Sequence, residues 1–509
     1  MAISAKRVSE RLAGSEELAL LDVREQGVHY RGHPFYAVSA PLSRLELMVG
    51  DLVPRKSASI VVLDGGEGLS ERAESKLKEL GYLDVSILEG GCQGWKNAGL
   101  ELFSGVNVPS KAFGEFVEHR YETPRIPPEE LKELLAKKHK MVVLDSRPFE
   151  EYRRMSIPGS IDVPGAELAW RVHDLAPEPD TLVVVNCAGR TRSIIGCQSL
   201  RNAGIPNRVV ALKDGTMGWD LAGFECERGA GRVAPQPTLE GREKALRAAE
   251  RVAVRFDVKF VDGQTLEKWQ RDPARTLYIL DVRTREEFER RHVAGARHAP
   301  GGQLVQASDE YVGVRNARVV VTDWELVRAV MTASWLNQMG WDDVHVLQDF
   351  SNLAFESGPR PKPAVRTWQT TRDISGATVL DLSTSLRFRY SHVPGAWWGV
   401  RSRLDEAARK IPAMKNLILT SEDGTLAHLA APEAAALWPD VKVLESGNAA
   451  WTGPTESGME RATTERDDVW YKPYDHAQDY KNFAREYLNW ELTLVEQIKR
   501  DPTIRFRSY

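Results

Sequence analysis

At 509 residues the chain is longer than one hydrophobic core sustains, and about three or four domains are expected. A hydrophobic share of 42%, a charged share of 28% and a net charge of -4 spread along the chain exclude a disordered polymer and leave no footprint for nucleic acid or a membrane surface. Four cysteines make no disulfide framework, so a reducing cytoplasm is the expected setting. No apolar run reaches the ~18 residues of a membrane span, and the first residues continue into charged helical sequence rather than a signal peptide.

In chain order, one pattern recurs four times: an apolar strand ending in Asp, a Gly-bearing turn, a second apolar strand, a loop, a helix and a third strand. The first copy has Leu20-Leu21-Asp22-Val23-Arg24, then Ile60-Val61-Val62-Leu63-Asp64, a helix over 70–80, Val85-Ser86-Ile87-Leu88 and Gly94-Trp95. The second has Val142-Val143-Leu144-Asp145-Ser146-Arg147, Ile157-Pro158-Gly159, Leu182-Val183-Val184-Val185, an amphipathic helix ending at Gly204, and Gly218-Trp219. The third has Ile279-Leu280-Asp281-Val282-Arg283, Val319-Val320-Val321-Thr322-Asp323 and a helix over 325–339. The fourth has Val379-Leu380-Asp381, Leu417-Ile418-Leu419-Thr420-Ser421, a helix over 425–437, and Trp451. From the first Asp to the loop position is 42 residues in three copies (22 to 64, 145 to 187, 281 to 323) and 40 in the fourth (381 to 421). Strands alternating with helices predict parallel βαβ units, and ligands in such sheets sit beyond the strands' carboxyl ends. Linkers are expected near 106–125, 230–258 (with a helix over 239–254) and 361–370. The tail after 461 holds an aromatic run, Trp470-Tyr471-Lys472-Pro473-Tyr474, and an apolar helix over 477–500 that must bury its face, either clamping the repeats or in a homodimer contact.

The chemistry concentrates in Asn186-Cys187-Ala188-Gly189-Arg190-Thr191-Arg192-Ser193, where a buried strand hands over to a helix. A helix N-terminus presents unpaired N–H groups and the positive end of its dipole. Arg190 and Arg192 are expected to add fixed positive charge. Together these favour the thiolate, which is the nucleophilic form of cysteine. Gly189 is expected to need a positive φ so that the amides can turn inward. Asp145 and Arg147 are expected to form a structural pair, Cys197 to be a buried hydrophobe and Trp219 to pack or to line the pocket. His173 is expected at the surface.

The Asp-x-Arg strand end, the (His/Ile)-x-x-Gly-(Ala/Ser) turn, the Cys-x-x-x-x-Arg loop and the closing Gly-Trp together resemble rhodanese-type sulfurtransferases over about 1–460. The resemblance implies an α/β fold of four tandem rhodanese-like domains at 1–110, 125–232, 258–360 and 370–460. Each would have a central, mostly parallel sheet with helices on both faces, followed by a helical extension over 461–509. It also implies a cysteine cycling between thiolate and persulfide, with Cys187 and Arg192 catalytic and Ala188, Gly189, Arg190, Thr191, Ser193 and Arg171 around the substrate. The donor would be a small sulfur anion such as thiosulfate and the acceptor cyanide or a thiol, with no metal or cofactor needed. Asp64, Asp323 and Ser421 stand where the cysteine would be in the other copies, and none can carry a persulfide. A phosphatase or arsenate-type reaction stays open but is disfavoured, because related phosphatases space Cys and Arg one residue wider. A sulfur sensor or scaffold stays open as well.

Overall fold

The computed structural model describes residues 2–412, 416–476 and 478–509. Its centre is four five-stranded arrays with one shared strand order. In the second copy the strands are Arg125–Ile126, Met141–Asp145, Ile161–Asp162, Leu182–Asn186 and Val209–Leu212. They lie in the spatial order first, fifth, fourth, second, third, and every pairing is parallel. The arrays built on Leu18–Asp22, Leu277–Asp281 and Thr378–Asp381 repeat that order. All five residues of Leu182–Asn186 are buried, as expected of a central parallel strand covered by helices on both faces.

The expected elements form with shifts of one to three residues at their ends: Leu69–Glu79, Val327–Gln338, Thr425–Ala435, Leu239–Arg255 and Tyr480–Ile498. Ala477, where the tail helix was expected to begin, lies outside the described residues. Two expectations are corrected. The segment near 106–125 is no linker: it forms the helix Val108–Tyr121, whose first ten residues include nine buried ones. Its apolar and polar residues are mixed without a clear stripe because neighbours pack on every side. The helix Thr191–Ala203 is likewise buried nearly all round rather than amphipathic. Several of its polar groups pair inside: the Trp335 indole N–H donates to Ser199 Oγ at 2.8 Å, and Gln198 Nε2 donates to Asn202 Oδ1 at 3.0 Å.

The copies are not beads on a string. Strand Val314–Arg315 of the third copy adds antiparallel to Leu18–Asp22 of the first. Copies two and three meet through Gly165–Glu167 and Gly301–Gln306, where a Cβ on Gly302 would lie 2.9 Å from the Gly165 nitrogen. Copies one and four meet through the corresponding segments, with Arg401 paired to Glu46 at 2.9 Å and Ser402 donating to Glu25 at 3.0 Å. The tail helix buries Ala484, Leu488, Glu491 and Leu494 within the chain. Its apolar face meets Phe35, Phe103, Val108 and Ala112 on one side and Ala188 and Met217 on the other. The structure therefore supplies the clamp through this face, while Leu492 of the same helix stays exposed.

Candidate active site

Cys187 lies at the floor of a cavity of about 210 Å3 and is 2% exposed. The strand Leu182–Asn186 delivers it, and the helix Thr191–Ala203 begins four residues later. The loop is fixed from behind. Thr216 N–H donates to the Cys187 carbonyl at 2.8 Å, and Met217 N–H donates to that of Ala188 at 2.9 Å. Gly215, at φ 55°, lies so close that a Cβ there would be 2.5 Å from the Cys187 oxygen and 2.7 Å from that of Gly189. The glycine that the loop requires is therefore Gly215. Gly189 does not have the expected positive φ, and a Cβ on it would meet Leu488, Tyr487 and Glu491 at 3.4–3.6 Å, ordinary contact.

The copies without cysteine show what this loop geometry holds. Asp64 accepts from Gly66 N at 2.9 Å and Ser70 N at 3.0 Å. Asp323 accepts from Glu325 N at 3.2 Å and Arg328 N at 2.9 Å. Ser421 Oγ accepts from Ala427 N at 3.2 Å. The two carboxylates each take one loop amide and one nearer the helix start, while Ser421 takes a single first-turn amide. The equivalent amides are therefore occupied from within wherever cysteine is missing, by an anion in two copies and a hydroxyl in the third.

Around Cys187 the sequence-expected residues divide. The thiol donates to Ser193 Oγ at 3.5 Å, and Ser193 Oγ donates to the Arg190 carbonyl at 2.8 Å. Ala188, Gly189, Arg190, Thr191 and Arg192 line the cavity. Arg192 grips Glu151 at 2.7 and 3.1 Å and Gln303 at 3.3 Å. Burial opposes the Glu151 charge, but Arg192 overcomes it and holds that carboxyl at about 2. Arg190, expected to lend the thiol a free positive charge, is committed elsewhere: it binds Glu115 at 2.7 Å through two nitrogens, Glu118 at 2.5 Å and Asp214 at 3.2 Å. Three carboxylates around one guanidinium leave no surplus charge, so Arg190 anchors the loop to the helix Val108–Tyr121. Arg171 does not reach the cavity; it binds Glu167 at 2.7 Å and the carbonyls of Ala234 and Pro235. Asp145 and Arg147 form the buried bidentate pair, at 2.7 and 2.8 Å. Cys197 is buried in the core with its thiol pushed up to about 12 by desolvation. Trp219 packs in the core, its indole N–H on the Glu225 carbonyl at 2.9 Å.

Sequence reasoning missed the groups that close the cavity from outside the second copy. Lys111, on Val108–Tyr121, is buried, with its ammonium 4.0 Å from Glu491 and, among the described residues, no hydrogen bond. Burial pulls its pKa down, while Glu491 and Cys187 pull it up. Trp470, Lys472, Tyr474, Tyr487 and Glu491 come from the tail, and Gln303 and Gln306 from the third copy. The aromatic run at 470–474 and the apolar helix expected over 477–500 were the signals of this in the sequence.

A rhodanese-like domain model matches residues 4–98, 127–222 and 262–350, more than half of the sequence. The chain belongs to the rhodanese-like family. The fourth array lies outside those matches but has the family's strand order as the other three show it. A solved thiosulfate sulfurtransferase from Pseudomonas aeruginosa is 45% identical and superposes with a TM-score of 0.95, covering 99% of both chains. Among curated proteins, the HTH-type transcriptional regulator Rv0324 of Mycobacterium tuberculosis is 37% identical over 91 residues; the match spans 18% of this chain and only 39% of that protein. The uncharacterized protein YibN of Escherichia coli K12 is 26% identical over 96 residues, 19% of this chain and 67% of that one.

Proposed function

We propose that this rhodanese-like protein is a sulfurtransferase that takes sulfane sulfur from thiosulfate or a similar anionic donor through Cys187. The observation that carries the reading is the cradle: three copies fill it with their own side chain, and the second presents a cysteine to a cavity. In the first half-reaction the Cys187 thiolate attacks the outer sulfur of the donor, the donor S–S bond breaks, and sulfite leaves with the bonding pair. The amides of 188–193 would stabilise charge on the transferred sulfur, and Arg192 would do so electrostatically. Lys111, in the cavity wall and without a hydrogen bond of its own among the described residues, would meet the donor's oxyanion end. In the second half-reaction a thiolate or cyanide attacks the outer sulfur of Cys187–S–S, and the cysteine leaves as thiolate. The cleft admits small acceptors, and the setting proposed is a reducing cytoplasm.

The test is intact mass after exposure to thiosulfate. One added sulfur mapped to Cys187, discharged by cyanide, is the expected result, and Cys187→Ser should lose both the adduct and thiosulfate:cyanide turnover. Turnover persisting in that variant would remove Cys187 from the mechanism. A single modification without turnover would favour a sensor.

A further inference from the structure

Copies two and three pack reciprocally, and the reciprocity gives the molecule an internal control. Arg192 and Arg328 hold the same place, five positions past Cys187 and Asp323 (187 to 192, 323 to 328). Each binds a glutamate of its own copy at one shared position (145 to 151, 281 to 287), namely Glu151 and Glu287. Each is also met by the residue that the opposite copy inserts, again at one shared position (145 to 167, 281 to 303). For Arg328 that residue is Glu167, at 2.9 Å; for Arg192 it is Gln303, at 3.3 Å. Arg328 thus sees three carboxylates, those of Asp323, Glu167 and Glu287, at 2.6–2.9 Å, and its side chain is 0% exposed. Arg192 sees one carboxylate and a neutral amide beside the cysteine, and it lines the open cavity.

We infer that Gln303, contributed by the copy that lacks the cysteine, is the residue that sets this site's preference for an anionic donor. An amide there satisfies one Arg192 N–H without adding negative charge to the Arg192–Glu151 pair. A glutamate would place a second negative charge on Arg192, and a dianion entering the cavity would meet net repulsion. At separations of several ångströms in a partly desolvated cleft, one such charge changes the affinity for an anion by about ten- to a hundredfold. The third copy is therefore part of the site and fixes its charge from across the interface.

This inference rests on the sulfur-transfer reading, but its test separates the two. Gln303→Glu should fold, because Glu167 occupies the mirror position on the same scaffold. In that variant the KM for thiosulfate should rise by about ten- to a hundredfold, with kcat at saturation and the KM of a neutral acceptor thiol little changed. Glu167→Gln, on the other side of the interface, should leave the thiosulfate KM unchanged. The ratio of alkylation rates at Cys187 by iodoacetate and by iodoacetamide, read by peptide mass, should fall about tenfold in Gln303→Glu. An unchanged KM or an unchanged ratio overturns the inference, as does an equal effect of Glu167→Gln. If the wild type gains no sulfur from thiosulfate, the sulfur-transfer reading fails, while the alkylation ratio still decides the role of Gln303.

Discussion

Lys111 and Arg190 are both cations beside one loop, but their surroundings give them opposite electrostatic roles. Arg190 meets three carboxylates at 2.5–3.2 Å, so its charge is cancelled locally. Lys111 meets one, at 4.0 Å. Replacing Lys111 with Met should raise the donor KM by roughly tenfold while leaving the fold intact, as for loss of one partly screened charge contact; steady-state kinetics against thiosulfate concentration is the check. Arg190→Met should instead loosen the loop and lower the melting temperature, because it strands buried Glu115 without its partner. A second titrating group lies behind the site. Burial, then the neighbouring Asp145 charge, pushes Asp162 up to about 8. Its folded value is raised above the unfolded one, so the stability it contributes is complete below about 4 and is lost as pH rises towards 8. Asp162→Asn should remove that slope, and denaturant midpoints for the two proteins should diverge, in favour of Asn, from pH 4 to 8.

Among the elements, the two that matter most to the loop come from behind and above it. The segment Gly215–Leu221 holds the loop carbonyls, and Gly91 and Gly447 play the same part against Asp64 and Ser421, with Cβ approaches of 2.2 and 2.4 Å. Gly215→Ala combines a positive φ with a backbone clash. It should cost about 2 kcal/mol or more and abolish turnover, whereas Gly189→Ala should be close to neutral; thermal melts with activity assays on both variants decide this. Above the loop, the tail helix lays Tyr487, Leu488 and Glu491 over Gly189. Thr191 and the Tyr487 hydroxyl both donate to Glu491 Oε1, at 3.2 and 3.0 Å, tying tail, loop and lysine into one cluster.

For the whole molecule, the cavity is assembled from separate parts of the chain. The second copy carries the cysteine, the third inserts Gln303, the helix Val108–Tyr121 supplies Lys111, and the tail roofs the cleft. Residues 125–232 expressed alone should therefore retain less than about a tenth of the intact chain's kcat/KM for thiosulfate, since several cavity walls and the Lys111 charge are lost at once; comparing the two polypeptides under one assay is the measurement.

The sequence by itself determined the repeat, the parallel strands and the loop that carries Cys187. Those features are local: strand runs, helix stops and a cysteine at a strand-to-helix turn are written within a few dozen residues, and the spacing of 42 positions carries from copy to copy. What only the tertiary structure decided is which charges face that loop. Arg190 was legible as a cation but not as one enclosed by Glu115, Glu118 and Asp214. Lys111, Gln303 and Glu491 could not be assigned to the site, because they approach it across chain separations of 76, 116 and 304 residues (187 to 111, 303 and 491). Electrostatic environment depends on distance in space and on burial, and neither is encoded in the order of residues near the cysteine.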